Sequence, residues 1–214
     1  VPFGERMPFQ GIFPALGDLD MGQAEWTPGV DPTPLPTPFG TIYSTNITPD
    51  VETGIGAWSY PAFERAMREG IHRDGRHLYP AFPYTHFART TDADTQALYA
   101  YLMTQPPVRA ETPNNALAFP FNLRPLMAGW NALFHKPDVF QPDPTKSEIW
   151  NRGAYLVEGL GHCGACHTPR NLLGARVRSR EFAGGEAEGW HAPPLDATSP
   201  APVKSANGVS QSSP

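Results

Sequence analysis

The chain has 214 residues, 16 Lys and Arg against 21 Asp and Glu for a formal net charge of −5, and 20 glycines with 26 prolines. That length holds one or two domains with a buried core, while Gly and Pro, more than a fifth of the residues, predict long irregular stretches. No Lys/Arg cluster offers a face for phosphates, which excludes nucleic acid as a partner, and no run approaches the roughly 18 continuous apolar residues of a membrane span, so no transmembrane segment is expected.

In chain order, residues 1–35 show neither helical nor strand periodicity and read as an irregular N-terminal segment running into the proline-rich stretch Pro32 to Pro38. The first residues lack the basic and apolar regions of a signal peptide, so either an export signal has been removed or the chain is a fragment. Residues 39–48 are β-prone in composition, but their dense turn formers predict a loop over a core. Ser59 as N-cap, Pro61 in the first turn, Phe63, Ala66 and Met67 on one side and Gly70 as a stop predict a helix over 60–69. A second helix is predicted from Thr91, with Asp92 and Asp94 at the positive end of its dipole, through Leu98, Tyr101 and Leu102 to Pro106-Pro107. The aromatic, proline-rich stretch His77 to Tyr84 between them is expected to pack inward.

Further along, Leu126, Trp130 and Phe134 form an apolar stripe on a connecting helix predicted over 122–135. Thr145-Lys146-Ser147-Glu148 has the form of a capping box. After it, Trp150, Ala154, Val157 and Gly161 mark the packed face of a helix running directly into Cys163. The tail from 199 onward is small, polar and aperiodic, which predicts disorder.

The only two cysteines lie in Cys163-Gly164-Ala165-Cys166-His167. C-x-x-C-H is the attachment signature of a c-type haem: cysteines three apart on one turn reach the two vinyl-derived positions of one porphyrin, and the next residue places an imidazole beneath the iron. Two other chemistries use the same residues. A disulfide or thioredoxin-like dithiol needs a βαβ context, and the flanks contain no strand-rich run. A structural zinc needs a second ligand pair, and none exists in the sequence. Of the remaining histidines, His72, His77, His86 and His135 read as loop or surface residues, and His162 as pointing away from Cys163.

Several segments in order carry a resemblance. Leu35 to Ser44, Asn46-Ile47-Thr48-Pro49-Asp50, Gly54-Ile55-Gly56, Leu78-Tyr79-Pro80-Ala81 and Ala97 to Leu102 resemble the first cytochrome domain of the multihaem c-type subunits of membrane-bound bacterial dehydrogenases, those acting on alcohol, gluconate, sorbitol, aldehyde and nicotinate. Phe119 to Arg124, Asn151 to Val157 and Cys163 to Asn171 are similar to the join and the start of the second domain. The resemblance implies an all-α fold of cytochrome c-like domains with long irregular Pro/Gly-rich loops. Its divisions would be a domain over 36–108 without a haem-attachment motif, a linker with a connecting helix over 109–144, a truncated haem-binding domain over 145–198, and the tail.

The same resemblance implies one covalent haem c held by Cys163 and Cys166, with His167 on the iron. Pro193, in Ala192-Pro193-Pro194-Leu195, would accept the proximal imidazole N–H, and Arg170 would lie near the haem propionates; the alternative for Arg170 is an ordinary surface arginine. Two departures bear on chemistry: no cysteine precedes residue 163, and Phe82 stands where the family pattern has an axial Met. The expected function is electron transfer from the catalytic subunit of a dehydrogenase to a membrane-associated quinone or oxidase, in the periplasm or at the periplasmic face of the inner membrane, with no catalysis by this chain. The alternative is a degenerate remnant with a structural or docking role. No hydrolase motif is present.

Overall fold

The computed structural model describes residues 32–187 and 189–199; the expectations for residues 1–31 and for the tail beyond 199 lie outside them. The first element departs from the loop expected there. Pro34–Thr37 (β1) and Gly40–Tyr43 (β2) form an antiparallel hairpin, and Ala116–Leu117 (β3) adds to the far side of β2. Proline has no ladder N–H, and the sheet order β1-β2-β3 leaves Pro34 and Pro36 on an edge strand, where that lack is tolerated. Thr37 closes the turn, its hydroxyl donating to the Gly40 carbonyl at 2.6 Å.

The first two helices form where the sequence places them, Tyr60–Glu69 (α1) and Asp92–Met103 (α3). The Thr91 side chain accepts the Asp94 N–H at 3.2 Å. Gly70 ends α1 at φ 65°, and a Cβ there would lie 2.6 Å from the Tyr84 ring, so this position needs glycine both for its backbone and for the approach of Tyr84. A short helix not foreseen, Tyr84–Phe87 (α2), lies between them. Ile55, Phe63, Met67 and Phe87 are the buried core, with Trp58, Phe82, Leu98, Tyr99, Leu102 and Met103 packed against it. Phe82 stands 5.5 Å from Phe87, ring centre to ring centre. Arg68 joins α1 to the next two helices by donating to the Ala88 and Thr90 carbonyls and pairing with Asp92 at 2.6 Å.

The connecting helix is shorter than expected, Leu126–Phe134 (α4), and none of its residues is buried. Of its apolar stripe, Leu126 is exposed, whereas Trp130 and Phe134 are half-buried with ring centres 5.4 Å apart, and a polar residue also docks the helix. Asn131 does so, accepting from the Tyr84 hydroxyl at 2.6 Å and donating to the Glu69 carbonyl at 3.2 Å, while His135 Nε2–H donates to the Arg68 carbonyl at 2.7 Å. Because Tyr84 is fully buried, that bond satisfies a hydroxyl that would otherwise be stranded.

Glu148–Tyr155 (α5) is capped by Ser147, which accepts the Trp150 N–H at 3.2 Å, rather than by Thr145. A π-helical turn continues it over Leu156–Leu160. Along α5 and this turn Tyr155 and Gly159 are buried while Trp150 and Gly161 are exposed. Tyr155 ties this segment to α3: its hydroxyl donates to the Asp94 carboxylate and accepts the Thr91 N–H at 3.0 Å. Gly164–His167 (α6) and a second hairpin, Gly185–Ala187 (β4) with Trp190–Ala192 (β5), complete the described elements. The fold is therefore helices joined by long irregular chain, with two small sheets that the helical expectation did not include. Among the described residues no helix is long and apolar enough to cross a membrane.

Candidate functional site

The site is built on one turn of helix. From Cys163, in helical conformation, the chain makes a short α-turn in which the Cys163 carbonyl accepts the His167 N–H at 3.0 Å. At roughly 100° per residue, Cys163, Cys166 and His167 share one arc of that turn, and Gly164 and Ala165 take the other side. No disulfide joins the cysteines; Cys163 is half-buried and Cys166 exposed. Among the described residues no group of three or more His, Cys, Asp or Glu side chains is gathered to hold a metal ion, so the zinc reading finds no ligand set there.

The chain beyond the turn orients His167. Thr168, almost wholly buried, leaves the helix in extended conformation and accepts the Phe182 N–H on its hydroxyl at 3.0 Å. The Gly184 N–H donates to the His167 carbonyl at 2.9 Å, and the Leu195 N–H to the Phe182 carbonyl at 2.8 Å. These bonds close the β4–β5 hairpin against the helical turn and bring the Pro193 carbonyl to 2.7 Å from His167 Nδ1. A carbonyl only accepts, so Nδ1 carries the proton and Nε2 is left with its lone pair, the form in which an imidazole ligates a metal. The donor set therefore fits a c-type haem: two thiols and a tautomer-fixed imidazole on one turn, its Nδ1 facing the Pro193 carbonyl.

Arg170 is held rather than loose. Its guanidinium donates to the Gly174 and Ala165 carbonyls, each at 2.8 Å, and burial lowers its pKa. It thereby stitches the loop after the motif to the attachment turn and has further N–H groups to spare.

Three residues around the motif went unrecognised in the sequence. His86, read as a loop or surface residue, is 2 % exposed. Its Nδ1–H donates to the Glu158 carbonyl at 3.1 Å, and burial, followed by the charge of Arg176, pushes its pKa down to about 3. His162 is buried at φ 37°, its ring edge-on to Phe87 at 5.6 Å and 6.4 Å from the ring of His86. Gly164 is buried against His86, Arg176 and Glu181. Each makes contacts far along the chain, beyond the reach of local periodicity; the one sequence cue was a histidine directly before the first cysteine. His135 is likewise half-buried and hydrogen-bonded, not a surface residue.

A helical turn offering two thiols and one oriented imidazole defines the class, an attachment segment of the c-type cytochrome kind. Comparison with known proteins gives its relatives. No protein-family model matches the chain, but a nicotinate dehydrogenase subunit of Pseudomonas putida is 68 % identical over 164 residues, 76 % of this chain and 14 % of that protein. The fructose dehydrogenase cytochrome subunit of Gluconobacter japonicus is 47 % identical over 163 residues, covering 74 % of this chain and 33 % of the relative. A diheme cytochrome c-type protein of Cereibacter sphaeroides is 48 % identical over 153 residues, 71 % of this chain and 51 % of the relative. The chain is similar to parts of dehydrogenase subunits and c-type cytochromes of bacteria, and it spans between about a seventh and a half of the length of these three relatives.

Proposed function

We propose that the chain is an electron carrier with one covalently bound haem c, accepting electrons one at a time from the catalytic subunit of a dehydrogenase and passing them to a membrane-associated quinone or oxidase, with no substrate chemistry of its own. Its fold is then that of cytochrome c-like domains, the second bearing the haem. The site of action is the periplasm or the periplasmic face of the inner membrane, where the relatives' membrane-bound complexes would present a partner.

The observation that carries the reading is the His167–Pro193 contact at 2.7 Å on the same turn as Cys163 and Cys166. Cys163 and Cys166 would each add across a vinyl group, sulfur bonding to one carbon and the thiol hydrogen going to the other, with no net oxidation. His167 would hold the iron through Nε2, with Pro193 fixing the ring and raising its donor strength. Arg170 would offer its remaining N–H groups to a propionate. When bound, haem supplies a reversible one-electron iron couple whose potential the axial ligands set.

Haem staining after denaturing electrophoresis tests this directly. Full chain matured in a bacterial periplasm stains, and Cys163→Ala with Cys166→Ala abolishes the stain. An unstained wild-type chain overturns the assignment and leaves the docking remnant as the better account.

A further inference from the structure

The domain over 36–108 has no cysteine, yet its short helix α2 presses on both residues flanking Cys163. On one side of that cysteine His162 sits at φ 37°, a left-handed conformation unusual for a side chain of this size, with its ring edge-on to Phe87. On the other side, a Cβ added to Gly164 would lie 3.2 Å from the His86 ring, 3.1 Å from the Arg176 guanidinium and 2.8 Å from the Glu181 carboxylate, which is itself held by Arg176 at 2.5 Å. Behind the motif, His86 Nδ1–H donates to the Glu158 carbonyl of the π-helical turn, and Arg89 pairs with Glu158 at 2.8 Å. Gly159 in that turn lies within contact of Arg89 and Thr90. The strained backbone directly before Cys163 is thus over-determined chiefly by groups of α2, His86 and Phe87, more than 70 residues away in sequence.

We propose that the cysteine-free domain is the seat that fixes the attachment turn, and that His86 is its principal positioning residue. This rests on the haem-carrier reading above. His86 meets the Gly164 side of the turn, away from the arc shared by Cys163, Cys166 and His167, so it acts through the turn and not on the iron. Anchored at Glu158 on one edge and set against Gly164 on another, it sets how the π-helical turn delivers Cys163, and with it the direction in which both thiols and the imidazole are presented. His162, held by Phe87, pins the same backbone from its other end.

The test pairs variants so that the contact itself is read. Gly164→Val thrusts a branched side chain at Glu181, Arg176 and His86, of which the buried imidazole has least room to give, and His86→Ala vacates that volume. In the full chain produced without haem, Gly164→Val should raise amide exchange at 156–167 about tenfold while leaving α1 and α3 unchanged, and the double variant His86→Ala/Gly164→Val should return it to within about threefold of wild type. His162→Gly, which keeps the left-handed backbone but removes the ring, should loosen the same residues. In matured chain, covalent haem per chain should fall with Gly164→Val and recover in the double variant. Additive effects of the two substitutions, or loosening that spreads evenly over α1 and α3, overturn the proposal. A wild-type chain without haem overturns the carrier reading instead, and the exchange comparison still decides the seat.

Discussion

Lowering pH from 7 to 5 should loosen the seat through His86. Its folded pKa, about 3 against an ordinary 6.5, means that the fold holds the imidazole neutral whereas the unfolded chain protonates it below 6.5. The stability this contributes is complete above pH 6.5 and is lost as pH falls from there toward 3. At about 1.4 kcal/mol per unit, pH 5 lies roughly 1.5 units into that window, so His86 alone removes about 2 kcal/mol, and no solvent screening discounts a side chain 2 % exposed. Asp50, Asp143 and Asp196 have pKa values lowered from 3.8, so they stay ionised throughout this range. His72, His135 and His162 are also lowered by burial, so these imidazoles add to the acid loss of wild type and variant together. Urea unfolding of the haem-free chain at pH 7 and pH 5, compared with His86→Gln, therefore isolates the one imidazole: wild type should lose about 2 kcal/mol more than the variant. Equal losses would refute the account of His86 as a buried neutral group.

Other consequences are structural and chemical. Asn131→Ala leaves the fully buried Tyr84 hydroxyl without its acceptor and detaches α4, and thermal unfolding should show a cost of about 1–3 kcal/mol. Tyr155→Phe removes both the donation to Asp94 and the acceptance from Thr91, at about 1–2 kcal/mol in urea unfolding, with the loss concentrated in hydrogen exchange at the start of α3 and in α5. His167→Ala in matured chain should leave the thioethers intact, so that the stain persists while the absorbance spectrum of the iron changes; an unchanged spectrum would remove His167 as the ligand.

How much of this was legible in the sequence depended on the range of the interactions. The attachment turn is encoded in five consecutive residues, and helix ends announce themselves through neighbours, as with Thr91 before Asp92 and Gly70 after Glu69. The edge hairpin was not legible because Pro34 and Pro36 argue against a strand until their place at a sheet edge is known. The packed face was misplaced because Tyr155 is buried by partners far along the chain, Asp94 and Thr91, and because a regular 3.6-residue period does not carry through the π-helical turn to Gly161. Asn131 and His86 were unreadable for one reason: each derives its role from a partner 47 or 72 residues away.

The most direct measurement of the central claim is the mass of the intact, periplasmically matured chain taken together with its pyridine haemochrome spectrum. One haem's mass per polypeptide and the absorption of a doubly thioether-linked haem c are the predicted result. A colourless chain weighing no more than its amino acids would contradict it.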